Sequence, residues 1–177
     1  MGRIVADATP IVYLAKIGKL QLLRQLYEDV IVPPRIREEL FAGKHPEVPV
    51  IEEAFDARWL EERGLNQSAK NFLSRQLRNA PGLHQGESQA IALSYTGHLP
   101  LIIDEDDKTG RRIARVWGVE VKGTLRVILE AYEARLIQYE ETRRLFRALL
   151  AERFRVTAEI YERALALLEK AKERKAL

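Results

Sequence analysis

The run Ile4-Val5-Ala6-Asp7-Ala8-Thr9-Pro10 (residues 4–10) joins a strand, an acid and a helix start. Three apolar residues suit a short buried strand. Thr9 or Asp7 can cap the helix, and Pro10 suits its first turn, where the missing N–H costs nothing. Ile11, Leu14 and Ile17 then recur at helical spacing, and after Gly18 a second stripe carries Leu20, Leu23 and Leu26. The order strand then helix returns three times. Val30-Ile31-Val32 precedes Pro33-Pro34 and a helix through Phe41. Leu101-Ile102-Ile103 ends at Asp104 before a helix over 109–117, and Val119-Glu120-Val121 precedes a helix over 124–134. Strands alternating with helices predict an α/β chain whose parallel sheet is covered on both faces.

Between Gly43 and Gly82 the pattern is weaker. Pro46 and Pro49 interrupt it, Arg58-Trp59-Leu60 is a strand candidate, and a polar helix is expected over 67–78. This segment, about 43–82, is read as an insertion in a domain spanning 1–137. Another helix spans 86–95, ended by Gly97. From Gln138 onward every segment is helical, with Thr157 a cap before Ile160, Ala164, Leu167 and Leu168. Residues 138–177 are read as a C-terminal helical extension packed on the same domain.

Composition narrows the class. With 46% hydrophobic and 31% charged residues over 177 positions, the chain can bury a core without a staple. It has no Cys, which removes disulfides and thiolate chemistry and fits a reducing compartment, so a cytoplasmic location is expected. No run approaches the roughly 20 apolar residues of a membrane span. A net charge of +3 gives little long-range pull on nucleic acid, so such binding would come from local patches.

Four carboxylates stand out. Asp7 and Asp104 each end a strand candidate, where open α/β sheets bind ligands. In the helix after Pro34, with Ile36 and Leu40 facing the core, Glu38 points away while Glu39 flanks the buried face. Glu87 falls near Ala90, Ile91 and Ser94, on the side expected to meet the sheet, where a charge needs a partner or a metal. Three of the four also have an ordinary reading: Asp7 as a helix cap, Glu39 as an exposed helix residue, and Asp104, in the run Asp104-Glu105-Asp106-Asp107, as part of a solvated turn. Carboxylates converging without Cys, with His45, His84 and His98 scattered, select a hard cation such as Mg²⁺ or Mn²⁺ over zinc. Such a site can activate a water against a phosphodiester. Lys108, Arg111, Arg112 and Arg115 follow at helical spacing, either a solvated face or a stripe that grips phosphate. Phosphate-cradling glycines in the patterns GxGxxG or GxxxxGK[ST] are missing, and so is the GxSxG nucleophile elbow.

The runs IVADATPIVYLAKIGKLQLL, VIVPPRIREEL and GESQAIALSYTGHLPLIIDEDDKTGRRIARVWGVEVKGTLRVILEAYEARLI together resemble the PIN-domain family, in its uncharacterised prokaryotic branch close to the VapC-like toxins. The resemblance implies a three-layer α/β/α fold with a central parallel sheet and extra C-terminal helices. It also implies a Mg²⁺- or Mn²⁺-dependent ribonuclease site on Asp7, Glu39, Glu87 and Asp104, with Thr9 matching a hydroxyl position beside substrate. Asp106 or Asp107 is an alternate to Asp104 or its helper, with Asp107 the further metal candidate, because DEDDKTGRR is longer than the usual turn; Glu87 stands where many relatives have Asp. Lys108, Arg111, Arg112 and Arg115 would orient RNA. An antitoxin protein and a second copy of the chain, forming a homodimer, are the implied partners. The rival expectations are a non-catalytic PIN-like nucleic-acid-binding or protein-interaction module, and a DNA or flap-type nuclease.

Overall fold

The computed structural model describes residues 2–78 and 80–176. Five strands form one all-parallel sheet in the order β3-β2-β1-β4-β5: β1 Ile4–Ala6, β2 Val30–Val32, β3 Leu60–Glu62, β4 Leu101–Ile102 and β5 Val121–Lys122. β1 is central, with Ile4 opposite Val30 on one side and Val5 opposite Leu101 on the other. The chain builds outward from β1 to β3, then crosses over and continues from β4 to β5. The change of direction falls between β1 and β4, the place where a parallel sheet leaves a crevice at its carboxyl edge.

Alternation along the strands fills two cores. Ile4, Ala6, Val30, Val32 and Ile102 face one side, and Val5, Ile31, Leu101 and Ile103 the other. This is the period of two that strand geometry imposes. The first face is covered by helices that include α1 (Ala8–Lys16), α2 (Gln21–Leu26), α3 (Pro34–Leu40), α4 (Val48–Asp56) and α8 (Thr124–Glu133). The second is covered by α5 (Gln67–Phe72), α6 (Gln85–Gly97) and α7 (Lys108–Val116). The architecture is therefore a three-layer α/β/α sandwich.

Residues 43–82 contribute α4, the edge strand β3 and α5, which continues as a π-helical turn over Leu73–Leu77. Helices α9 (Tyr139–Ala151) and α10 (Ala158–Ala176) join the first core through Phe146, Leu149, Leu168 and Ala171. β4 ends at Ile102, one residue before expectation, and two strands start later than expected. β3 begins at Leu60, not Arg58, because Arg58 takes a positive φ of 60° and its N–H closes a turn on Phe55. β5 begins at Val121, not Val119, because the Val119 N–H turns back to the Ala114 carbonyl and finishes α7. Among the described residues no helix is long and apolar enough to cross a membrane.

Candidate active site at the carboxyl edge of the sheet

Asp7 leaves the sheet at the end of β1, its N–H bonded to the Ile102 carbonyl of β4 at 2.8 Å. It occupies the N-cap position of α1, yet its side chain makes no capping hydrogen bond. The ordinary explanation for an acid there is thus unused, although the residue is only 6% exposed. Its carboxyl is pushed up from the usual 3.8 to about 7. Burial is the main cause; the Ala8 amide works against it, and the charges of Glu87, Glu39 and Asp107 add to it. A buried carboxylate surrounded by like charge lacks a counter-charge.

Asp7, Glu39 and Glu87 line one cavity of about 460 Å³, together with Arg35, His84 and Gln85. Glu39 reaches it from α3 and is itself exposed, its side chain 38% accessible, whereas Glu38, one residue earlier, is 65% accessible and pairs with Arg35 at 2.9 Å. Arg35 also approaches Glu39 at 3.4 Å. It is the cation of this cavity, a residue that sequence reasoning passed over, although its spacing of four from Glu39 on a helix was readable. Glu87 has a structural task as well. It is the third residue of α6, and its Oε2 accepts the His84 N–H at 3.0 Å in a capping box. Burial raises its pKa, the His84 amide opposes this, and Asp107 and Glu39 add to it.

The fourth acid is divided between two side chains. The pKa of Asp104 is raised by burial, with Asp106 and Asp107 as the charges acting on it; Asp7 is not among its main causes. Asp107, by contrast, contributes to the shifts of both Asp7 and Glu87. Its Oδ1 caps α7 by accepting the Gly110 N–H at 2.7 Å, and its Oδ2 is buried without a partner. Thr9 follows Asp7 in the first turn of α1, half-buried. The basic residues of α7 go elsewhere: Lys108, Arg111 and Arg115 border a neighbouring cavity, and Arg112 is exposed outside both.

Gly86 explains how α3 and α6 approach closely enough to share this cavity. A Cβ there would lie 2.5 Å from Ile36 Cδ1 and 3.0 Å from Glu39 Oε1. Gly86→Ala is therefore expected to push Glu39 aside. The overpacking should cost about 1–3 kcal/mol, read as a lower thermal midpoint.

The donor set is all oxygen apart from His84, which suits a hard divalent cation that keeps several of its waters. Among the described residues, however, no three His, Cys, Asp or Glu side chains are gathered into a ready-made cage. Repulsion between unneutralised carboxylates is the physical reason to expect them apart, and Asp107, whose charge acts on Asp7 and Glu87, keeps a buried Oδ2 without a partner. Comparison with curated proteins gives no match. The family model DUF3368, described as a PIN domain, matches residues 3–170, nearly the whole chain including α9 and most of α10. An acid-lined crevice at the switch point of a five-stranded parallel sheet agrees with that match, and the chain belongs to the PIN-domain family, a nuclease-type fold.

Proposed function

We propose that the protein is an endoribonuclease that depends on Mg²⁺ or Mn²⁺, with Asp7, Glu39, Glu87 and an acid of the 104–107 turn holding the cation. The observation that carries this reading is Asp7: buried, uncapped, and raised to about 7 with three other carboxylates acting on it. A bound divalent cation would supply the positive charge that polarises a water and neutralises a phosphate oxygen. Arg35 would meet the phosphate at the cavity rim, exchanging its exposed pairs with Glu38 and Glu39 for a stronger bidentate contact. Thr9 would bond the strand beside Asp7, and Lys108, Arg111, Arg112 and Arg115 would extend the contact along it. A place near the VapC-like toxins, an antitoxin partner, a homodimer and a cytoplasmic location belong to the same proposal.

The test is a substrate panel of single-stranded RNA, structured RNA, DNA and a flap duplex, each with Mg²⁺, Mn²⁺ or chelator. Endonucleolytic cleavage of RNA that chelator abolishes is the expected result. Preference for DNA or the flap would replace the substrate class. A second reading, a non-catalytic nucleic-acid-binding module, draws on the capping role of Glu87 and the Arg35–Glu39 pair, which give two of the acids structural work. Calorimetry separates the two: no Mn²⁺ binding at millimolar concentration, with RNA binding intact, would favour the module.

A further inference from the structure

Beyond Asp104 the carboxyl ends of β4 and β5 border a second cavity of about 550 Å³, which shares no lining residue with the acid cavity. Lys108, Arg111 and Arg115 of α7, Arg126 of α8 and Arg163 of α10 surround it, against one acid, Glu105. Arg126 is committed to Glu130 and Glu133 at 3.1 and 2.9 Å. Among the described residues Lys108, Arg111, Arg115 and Arg163 have no ion-pair partner. Arg111 donates instead to the carbonyls of Ile103, Asp104 and Lys122 at 3.2–3.4 Å, tying the ends of β4 and β5 together. Glu105 offsets Arg111 in part, and Lys108, Arg115 and Arg163 remain as an excess of positive charge facing one hollow, which favours an anion.

Glu105 makes the hollow more specific. It is 5% exposed; its Oε1 accepts the Leu125 N–H at 2.7 Å, while its Oε2 is buried with no partner. An unpaired buried acceptor is costly, and a donor brought by a ligand would relieve it. The backbone at Gly123 passes so close that any Cβ would overlap this carboxylate. Leu125, Leu129, Ile160, Ala164 and Leu167 supply an apolar wall from α8 and α10. Cations at the edge, one deep acceptor and an apolar wall form a set, and the volume lies in the range of about 300–1,000 Å³ usual for small-ligand sites.

We infer that this cavity binds a nucleotide, its phosphate among Lys108, Arg115 and Arg163, its base against the apolar wall, and an N–H or O–H of base or sugar donating to Glu105 Oε2. The nucleotide is either free or one unit of a strand that also reaches the acid cavity, and binding needs no divalent cation. The inference therefore goes beyond the proposed cleavage and stands independently of it.

Calorimetry in the presence of chelator tests it, with the four 5′-ribonucleoside monophosphates and inorganic phosphate as probes. At least one nucleotide should bind, and more tightly than phosphate. Arg163→Ala, an exposed change that leaves the core intact, should weaken nucleotide and phosphate by roughly tenfold, the worth of one charged hydrogen bond. Glu105→Gln should weaken the nucleotide alone. Asp7→Asn should change neither, so a failed nuclease assignment would leave the result intact. A short RNA that displaces the nucleotide would assign the cavity to the strand, and simultaneous binding would assign it to a free nucleotide; both uphold the inference. Nucleotides binding no better than phosphate, or unaffected by Arg163→Ala, would overturn it.

Discussion

Asp7→Asn is expected to abolish cleavage while making the metal-free protein more stable. The two effects share one cause. Asp7 sits in the centre of the sheet edge, buried, with Glu87, Glu39 and Asp107 adding their charge to the cost of its ionisation. Its folded pKa of about 7 exceeds the ordinary 3.8, so between these values the folded chain keeps a proton that the unfolded chain has released. Unfolding then gives up a proton, and rising pH favours it: the contribution is most favourable below about pH 4, declines from there to about pH 7, and is level above. Glu105, raised from 4.5 to about 7 chiefly by burial, adds a slope of the same sign. Asn keeps the shape and removes the charge. At pH 7.5 with chelator the variant should therefore be stabilised by about 1–3 kcal/mol, or roughly 2–10 °C in midpoint. The pH dependence of its midpoint should flatten in part, the Glu105 share remaining. Cleavage should fall by more than about a hundredfold, since removing groups that merely support a metal ligand costs roughly 10–100-fold. Unchanged cleavage would sink the site. Stability unchanged or lowered in chelator would show that Asp7 is paired in a way its surroundings do not suggest.

The sheet was readable because its strands are buried on both faces and therefore nearly all apolar, as in Ile4-Val5-Ala6 and Val30-Ile31-Val32. The edge strands were less so. β3 runs Leu60-Glu61-Glu62, and its acids pair with Arg63 and Arg37, a polarity suited to an edge. Helical periodicity told Glu38 from Glu39, since one turn of helix decides which side chain faces a neighbour. It could not show that Glu87 closes a capping box: His84 is an uncommon cap, and its role depends on local backbone angles. The turn after β4 was the least legible. Four consecutive acids look solvated in one dimension, yet Glu105 tucks beneath the start of α8 and Asp107 folds back to cap α7, while Asp106 stays exposed. No pattern of hydrophobic spacing encodes which member of such a run is buried, because the turn is shaped by what α7 and α8 leave open.

That turn provides the second large effect: Asp107→Asn is expected to lose at least about tenfold more cleavage than Asp104→Asn, the scale of a ligand against a supporting residue. The substitution is a clean one at position 107. Asn and Asp cap helices about equally well, so the bond from the Gly110 N–H to Oδ1 survives, and only the charge and the orphaned Oδ2 are altered. The charge of Asp107 acts on both Asp7 and Glu87, which places it in the same electrostatic unit as the cavity. Asp104 acts through its turn: its Oδ1 accepts the Asp106 N–H at 3.3 Å, and its main charged neighbours are Asp106 and Asp107. Asp104→Asn can keep that bond as well, so both variants should fold, with midpoints in chelator serving as the control. Mn²⁺ affinity should follow the same order as activity. Gly110→Ala offers an independent check, because a Cβ there would overlap Asp107 Oδ2 and crowd Ile103 at 2.8 Å. It should dislodge Asp107 and reproduce its loss of metal binding, while leaving the Asp104 turn in place. If Asp104→Asn proves the more damaging, the strand-end acid holds the metal, and the turn must rearrange when the cation binds, carrying Asp104 toward Asp7.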